Sequence, residues 1–444
     1  MFLDSSDTIF ALATGARKSA VAIIRVSGPS CNAVLAALAP GTEFPARRAV
    51  LKTICDPRSG ETIDSALITK FEAPASFTGE DVIEIGVTGG RAVIAAVLRA
   101  LLVIETVRPA EAGEFAWRAF LNGKLDLSAV EGLADLVDAE TEAQRQQAQR
   151  MAGGALRREC TEVRSQLINA MAVVEAGLDF SDTDEAERLA VAEVRHAVKA
   201  AKERIDSALL NVGVASRLRE GLSVVIAGPP NVGKSTLMNA LAGREVAITS
   251  PVAGTTRDAI EVFLDLDGYP VIVVDTAGLH DSKDPIEREG VERAKRRTAS
   301  ADLILWLHER DSERDGCIAD RPTFIVRTKV DESSPSGLLA RDPNVFRISA
   351  KTGEGLSELL LAISRFAQAA MTSLDPPVLV LERHRRAFGE AQAALNSALQ
   401  QSDANLELIA EDLRLAASCM DRIIGRIGVD DVLSDIFSRL CIGK

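Results

Sequence analysis

The run Gly228-Pro-Pro-Asn231-Val232-Gly233-Lys234-Ser235 sets glycine, lysine and a hydroxyl at the GxxxxGK[ST] spacing, between the apolar stretch SVVIAG and a helix-forming stretch that begins at Thr236. Glycines there let successive backbone N–H groups wrap phosphate oxygens, and the start of a helix favours negative charge. Lys234 reaches the outer phosphates, and Ser235 offers a hydroxyl to Mg2+. Downstream, Asp275-Thr276-Ala277-Gly278 closes the apolar stretch PVIVVDT; the carboxylate can hold the metal's shell and the Gly278 N–H can meet the terminal phosphate. Thr255 and Thr256, in AGTTRD, provide hydroxyls for a loop that closes on that metal. Thr328-Lys329-Val-Asp331 follows TFIVRT. Asp331 can accept both donors of a guanine edge while the Lys329 stem packs on the ring, backed by Ser349-Ala350-Lys351. Order and spacing together predict a site that binds and hydrolyses GTP.

The residue after Gly278 is Leu279, whose aliphatic side chain cannot orient an attacking water, so another group must do so. Glu287, in the charged segment DSKDPIEREGVERAKRR, is the candidate, acting directly or through a bridging water; the same residue also fits the solvated start of a helix. No arginine finger is evident. The Asn231 side-chain carbonyl can instead help coordinate a monovalent cation where a guanidinium would sit.

The chain that positions these groups changes character three times. From Thr8 to about Phe120, short apolar runs (AVAIIRVSG, SALITKFEAP, EDVIEIGVTGG) alternate with turns before the helical stretch RAVIAAVLRALLV, which predicts an α+β domain over 1–123. From Asp126 to about Arg219 the sequence is helical in character, divided by the acidic stretch 179–187. From Leu222, six strand-like runs alternate with helical segments, the pattern of a doubly wound α/β domain over 218–370. Helical sequence resumes after the proline-containing link MTSLDPPV. The simplest architecture is one discontinuous helical domain, 124–217 and 371–444, with the P-loop domain inserted into it.

At 444 residues the chain is long enough for about three domains, each with its own core. A net charge of −13, with no basic segment, excludes nucleic-acid binding by bulk charge. Seventeen aromatics (Phe 14, Trp 2, Tyr 1) leave little for a base-stacking platform. Six cysteines, at 31, 55, 160, 317, 419 and 441, form no CxxC pair, which predicts reduced thiols in a cytoplasm. The acidic N-terminus does not read as a signal peptide, and the apolar run near 95–104 is interrupted by Arg99, short of the ~20 residues a bilayer needs. No membrane association is expected.

Taken together, GPPNVGKS, AGTTRD, DTAGL, SFTGEDVIE (76–84), AFLNGKLDL (119–127), REG (219–221) and the terminal IFSRLCIGK resemble the tRNA-modification GTPases of the MnmE (TrmE) type, over nearly the whole chain. The resemblance implies a cytoplasmic homodimer. Together with an FAD-dependent partner of the MnmG/GidA type, in a hetero-oligomer, it installs a carboxymethylaminomethyl-type or aminomethyl group at C5 of the wobble uridine of certain tRNAs. The one-carbon unit comes from 5-formyl- or methylene-tetrahydrofolate bound by the N-terminal domain, which also dimerises, and tRNA is contacted largely through the partner. It further implies hydrolysis activated when G domains meet around K+, held by Asn231, Ser250, Val252 and Thr255. Ser235 and Thr256 then hold Mg2+, and Glu287 positions the water. Arg25, Glu84, Lys124 and Lys444 are the matching folate residues. Cys441 is either a functional thiol, activated by the nearby lysine, or a packing residue. Three positions depart from the family pattern: Thr328 replaces asparagine, Thr88 stands where relatives often carry histidine, and Leu440 replaces phenylalanine.

Two other readings compete. A ribosome-assembly GTPase switch without modification chemistry draws on Gly425-Arg-Ile-Gly428, which mimics the GxxG loop of RNA-binding KH domains; Asp430 and Asp431 beside it would repel phosphate. A purely structural scaffold has no use for an intact phosphate loop.

Overall fold

The computed structural model describes residues 7–15, 18–179, 184–248, 261–275, 301–309, 321–332, 342–373, 376–402, 405–427, 436–437, 440 and 443; of 177–179 and 184–190 it describes the backbone alone. The chain divides into two compact units, one of Met1–Ala134, Met151–Asn169 and Leu413–Lys444, the other of Asp135–Arg150 and Ala170–Asp412.

In the first unit, β1 (Thr8–Leu12), β2 (Val21–Ser27), β3 (Ala49–Cys55), β4 (Thr62–Phe71), β5 (Val82–Thr88) and β6 (Val107–Pro109) form a sheet in the order β3-β4-β5-β2-β1-β6. All neighbours are antiparallel except β1 and β6. Side chains alternate across the pleat. Ala22, Ile24 and Val26 of β2 therefore join Ile68, Ile83 and Ile85 in a core with α1 (Cys31–Leu38) and α2 (Arg91–Leu102), while Arg25 lies on the other face. Helix α3 (Glu114–Leu121) supplies Trp117 and Phe120, between which Phe437 packs, edge-on to Trp117 with ring centroids 5.1 Å apart. Gly113 must be glycine: its φ is 72°, and a Cβ there would lie 2.2 Å from the Phe437 carbonyl oxygen. The helix α4 (Leu127–Asp138) contributes Leu127 and Val130 to the same cluster.

In the second unit, α5 (Glu142–Ala152), the second part of α6 (Ala155–Asp179), α7 (Asp184–Leu210) and α8 (Val212–Glu220) precede the second sheet. Its strands are β7 (Leu222–Ala227), β8 (Glu261–Leu266), β9 (Tyr269–Asp275), β10 (Leu303–His308), β11 (Thr323–Arg327) and β12 (Val345–Arg347), in the order β12-β11-β10-β7-β9-β8. Only β8 is antiparallel to its neighbour. All six runs read as strands from the sequence are present, and the α/β doubly wound class holds. Their near-continuous apolar character follows from burial on both faces. Val224 and Ile226 of β7 face a core with α9 (Lys234–Ala242) and α10 (Leu356–Met371), while Val225 and Ala227 face Val274, Ala301 and Ile304. Helix α11 (Glu382–Gln400) lies against α7; Arg195 of α7 donates to the carbonyls of Leu399 and Gln401, and Gln392 donates to Asp206. Helix α12 (Leu406–Ile424) closes the regular structure among the described residues. The expected amphipathic turn over 430–439 lies mostly outside them.

Candidate functional site: a phosphate loop at the sheet's switch point

Strand β7 has β9 on one side and β10 on the other, so the strand order reverses at its C-terminal end, where open α/β sheets bind ligands. The loop 228–233 leaves β7 there. Gly228 has φ 146°, and a Cβ would lie 2.3 Å from the Leu307 carbonyl oxygen, so only glycine lets the loop lie this close to β10. Gly233 needs its glycine for conformation alone: φ is 101° and no atom lies within 4 Å of a built Cβ. Asn231 holds φ 61°, the left-handed region that asparagine tolerates best among residues with side chains. Helix α9 then starts at Lys234, its first N–H groups free of intrahelical partners, as anion binding requires.

The Lys234 ammonium donates to the carbonyls of Gly228 (3.0 Å) and Pro229 (2.8 Å), curled over the loop. Burial lowers its pKa, and the Asp275 carboxylate works in the opposite direction. Ser235 Oγ donates to Asp275 Oδ2 at 3.2 Å, so a helix-start hydroxyl and a buried carboxylate from the end of β9 converge, the hard oxygen donors Mg2+ prefers. Thr236 is exposed on the first turn of α9, and Val232 is buried in the core.

On the guanine side, Thr328 N–H donates to the His308 carbonyl (2.9 Å), and its Oγ1 donates to the Val232 carbonyl (2.8 Å). The threonine that replaces asparagine here thus reaches the phosphate loop through its hydroxyl. Lys329, at φ 55°, directs its ammonium to Glu309 (2.9 Å). A hydrogen bond with the Ser349 side chain holds the Asp331 carboxyl below its usual range, with Lys351 adding to the effect. Ser349 is buried, Ala350 packs against the core and Lys351 is exposed. The structure thus brings together the phosphate loop, Asp275 and the 328–331 and 349–351 segments. Ser250, Val252, Thr255, Thr256, Thr276, Ala277, Gly278 and Glu287 lie outside the described residues.

In the first unit, Arg25 and Glu84 are register partners across β2 and β5, and the guanidinium donates twice to Glu84 Oε1 (3.1 and 2.8 Å). A third contact runs from Arg25 to the Gly443 carbonyl (3.4 Å), and the guanidinium sits 5.2 Å from the Phe77 ring centroid. Lys124 is not in this pair: its ammonium donates to the Pro74 carbonyl (2.8 Å), at the start of the loop that carries Phe77. Cys441 and Lys444 lie outside the described residues. Sequence reasoning missed Arg118, which is buried and pairs with Asp7, Glu80 and Glu114. Its signal was the FAWRAFL stretch, where a lone charge interrupts an apolar helix. Gly425 packs against Phe120 and Leu127, so it does not project as a nucleic-acid loop. Among the described residues no helix is long and apolar enough to cross a membrane.

A glycine-shaped phosphate loop at the switch point, a hydroxyl–carboxylate pair beside it and an acid on the guanine side define a P-loop protein of the G-domain class. A family model described as the GTP-binding protein TrmE N-terminus matches residues 8–124, and one described as the MnmE helical domain matches 127–441. The tRNA modification GTPase MnmE of Rhodopseudomonas palustris is 49% identical over 449 residues, covering 99% of each chain. That of a Methylobacterium species is 48% identical over 447 residues, covering 99% of this chain and all of the relative. That of a Bradyrhizobium species is 47% identical over 443 residues, covering 98% and 99%. The chain belongs to the MnmE (TrmE) family.

Proposed function

We propose that this chain is a GTP hydrolase that acts in tRNA modification. The observation that carries this reading is the Ser235–Asp275 pair beside the phosphate loop, in a chain nearly half identical, end to end, to proteins of that activity. The loop N–H groups and Lys234 bind and orient the triphosphate, and Asp331 selects guanine. Ser235 and Thr256 would hold Mg2+, which neutralises phosphate charge as the terminal bond breaks. Glu287 positions the water that Leu279 cannot, and Asn231, Ser250, Val252 and Thr255 would hold a K+ ion whose charge offsets that of the phosphates.

The finer assignment is the wobble uridine at C5, in the cytoplasm, with an FAD-dependent partner and a tetrahydrofolate one-carbon donor. The working domains are 1–123, the discontinuous 124–217 with 371–444, and 218–370. Arg25 and Glu84 support the folate reading: a guanidinium fork suits the donor's acidic tail and a carboxylate suits a pterin donor edge. The test is reconstitution with purified partner, tRNA and 5-formyl- or methylene-tetrahydrofolate. GTP-dependent modification is expected, abolished by Ser235→Ala. Modification at equal yield without GTP, or by the Ser235→Ala chain, overturns it.

A further inference from the structure

In the domain reading proposed above, the chain enters the inserted domain at residues 219–221 and leaves it toward 376–380; both segments lie within the second compact unit, and one short helix bonds to each. Thr141 and Gln144 form a reciprocal cap at the start of α5: Thr141 N–H donates to Gln144 Oε1 (3.1 Å) and Gln144 N–H to Thr141 Oγ1 (3.4 Å). The Gln144 amide nitrogen then donates to the Arg219 carbonyl (3.0 Å). One turn further on, Gln147 donates to the Pro377 carbonyl (2.8 Å). Residues three apart share a helix face, which is why two glutamines can grip two strands of chain at once.

The same helix start touches the nucleotide-binding sheet. The β8–β9 hairpin turns through Asp267 and Gly268, both at positive φ (54° and 86°). The Gly268 carbonyl accepts the Ala143 N–H (2.9 Å), and Ser364 of α10 donates to Asp267 (2.5 Å). At its other end the hairpin ends on Asp275, the residue that meets Ser235. A two-stranded connection, its β9 paired with β7 within the sheet, therefore runs from the metal-side carboxylate to α5.

Beside this clamp lies a cavity of about 200 Å3, lined by Gln144, Gln147, Ala148, Arg219 and Val380 among others. Gln147 is 3% exposed, and its side-chain oxygen accepts no hydrogen bond from protein atoms among the described residues. A buried acceptor with no protein partner favours any helix position that supplies one, and the cavity leaves room for such a shift.

Resting on the GTP reading above, we propose that α5 is the coupling element of the molecule. Nucleotide-driven displacement of the β8–β9 hairpin shifts α5 toward the cavity, and Gln144 and Gln147 carry the shift to both crossings. The experiment is hydrogen exchange on the full-length protein with GDP and with GDP·AlF4−, both in KCl. Wild type should change exchange by about fivefold or more at 141–152 and at 378–380, the amides that follow the two prolines, the low end of typical coupling free energies. Ala148→Leu, which fills the cavity, should keep the response at 228–235 and lose it at 141–152. Gln147→Leu should keep the response at 141–152 and lose it at 378–380. A response at 228–235 with none at 141–152 in wild type, or variants that respond as wild type does, overturns the coupling role. Silence at 228–235 as well overturns the nucleotide reading itself.

Discussion

The Thr328 hydroxyl donates to the Val232 carbonyl across 2.8 Å, tying the guanine-recognition segment to the phosphate loop. Both groups are buried, so removing the donor leaves a carbonyl unsatisfied, at about 1–3 kcal/mol. Thr328→Val should weaken GDP binding about tenfold, read by fluorescent-nucleotide titration, whereas Thr328→Ser should bind within about twofold of wild type. Equal affinity in the valine variant would show that the link has no energetic weight.

Asn231 combines a left-handed backbone with a side-chain oxygen, so alanine there would confound strain with the loss of a ligand. Asn231→Gly separates them. GTP turnover should be much faster in KCl than in NaCl for wild type, and the glycine variant should narrow that difference while GDP affinity holds. Equal wild-type rates in the two salts would remove K+ from the account. Glu287→Ala should bind GTP normally and turn it over about 100-fold more slowly; unchanged turnover would reassign the water.

Arg25 and Glu84 face each other across two strands with side chains 19% and 30% exposed, reachable by a ligand. Glu84→Gln should weaken 5-formyl-tetrahydrofolate binding about tenfold by calorimetry without altering GTP hydrolysis. A calorimetric isotherm indistinguishable from wild type would remove Glu84 from the folate site.

Glu114 is 1% exposed and accepts Arg108 (2.6 and 2.9 Å), Arg118 (3.1 Å) and the Glu111 N–H (2.9 Å). Burial pushes its pKa up, but these donors outweigh it and leave it below the usual 4.5; Asp7 is likewise lowered from 3.8. Folded-state values below the unfolded ones give stability that is present above about pH 4.5 and lost as pH falls through the lowered values. The first unit's thermal midpoint should drop steeply below that pH. Glu114→Gln should start lower at pH 7, by about 3 kcal/mol, and fall less on acidification. Parallel acid profiles would exclude Glu114 as the titrating group.

Much of this was legible because local sequence and global position agree. The phosphate loop must follow a buried strand and open a helix, and both are written in SVVIAG and the residues after Ser235. Strand β3 was harder to see: at the sheet's edge, with Leu51 and Lys52 exposed, AVLKTIC shows no clean two-residue alternation. The Arg25–Glu84 pair depends on register between strands 59 residues apart, which no local pattern encodes. The reach of Thr328 to Val232, 96 residues away, is likewise a product of strand order, and the bonds of Gln144 and Gln147 to distant carbonyls come from tertiary packing that their polar helical sequence does not encode.

The two glutamine bonds of α5 also span 75 and 230 residues of chain. As the polypeptide leaves the ribosome, this helix can cap itself at once through Thr141. It has nothing to grasp until Arg219 emerges, and only half its task until Pro377 follows. The intervening chain must therefore be finished before the anchor is complete, so that while residues 219–377 are being made the helix holds its later partners by one bond at most.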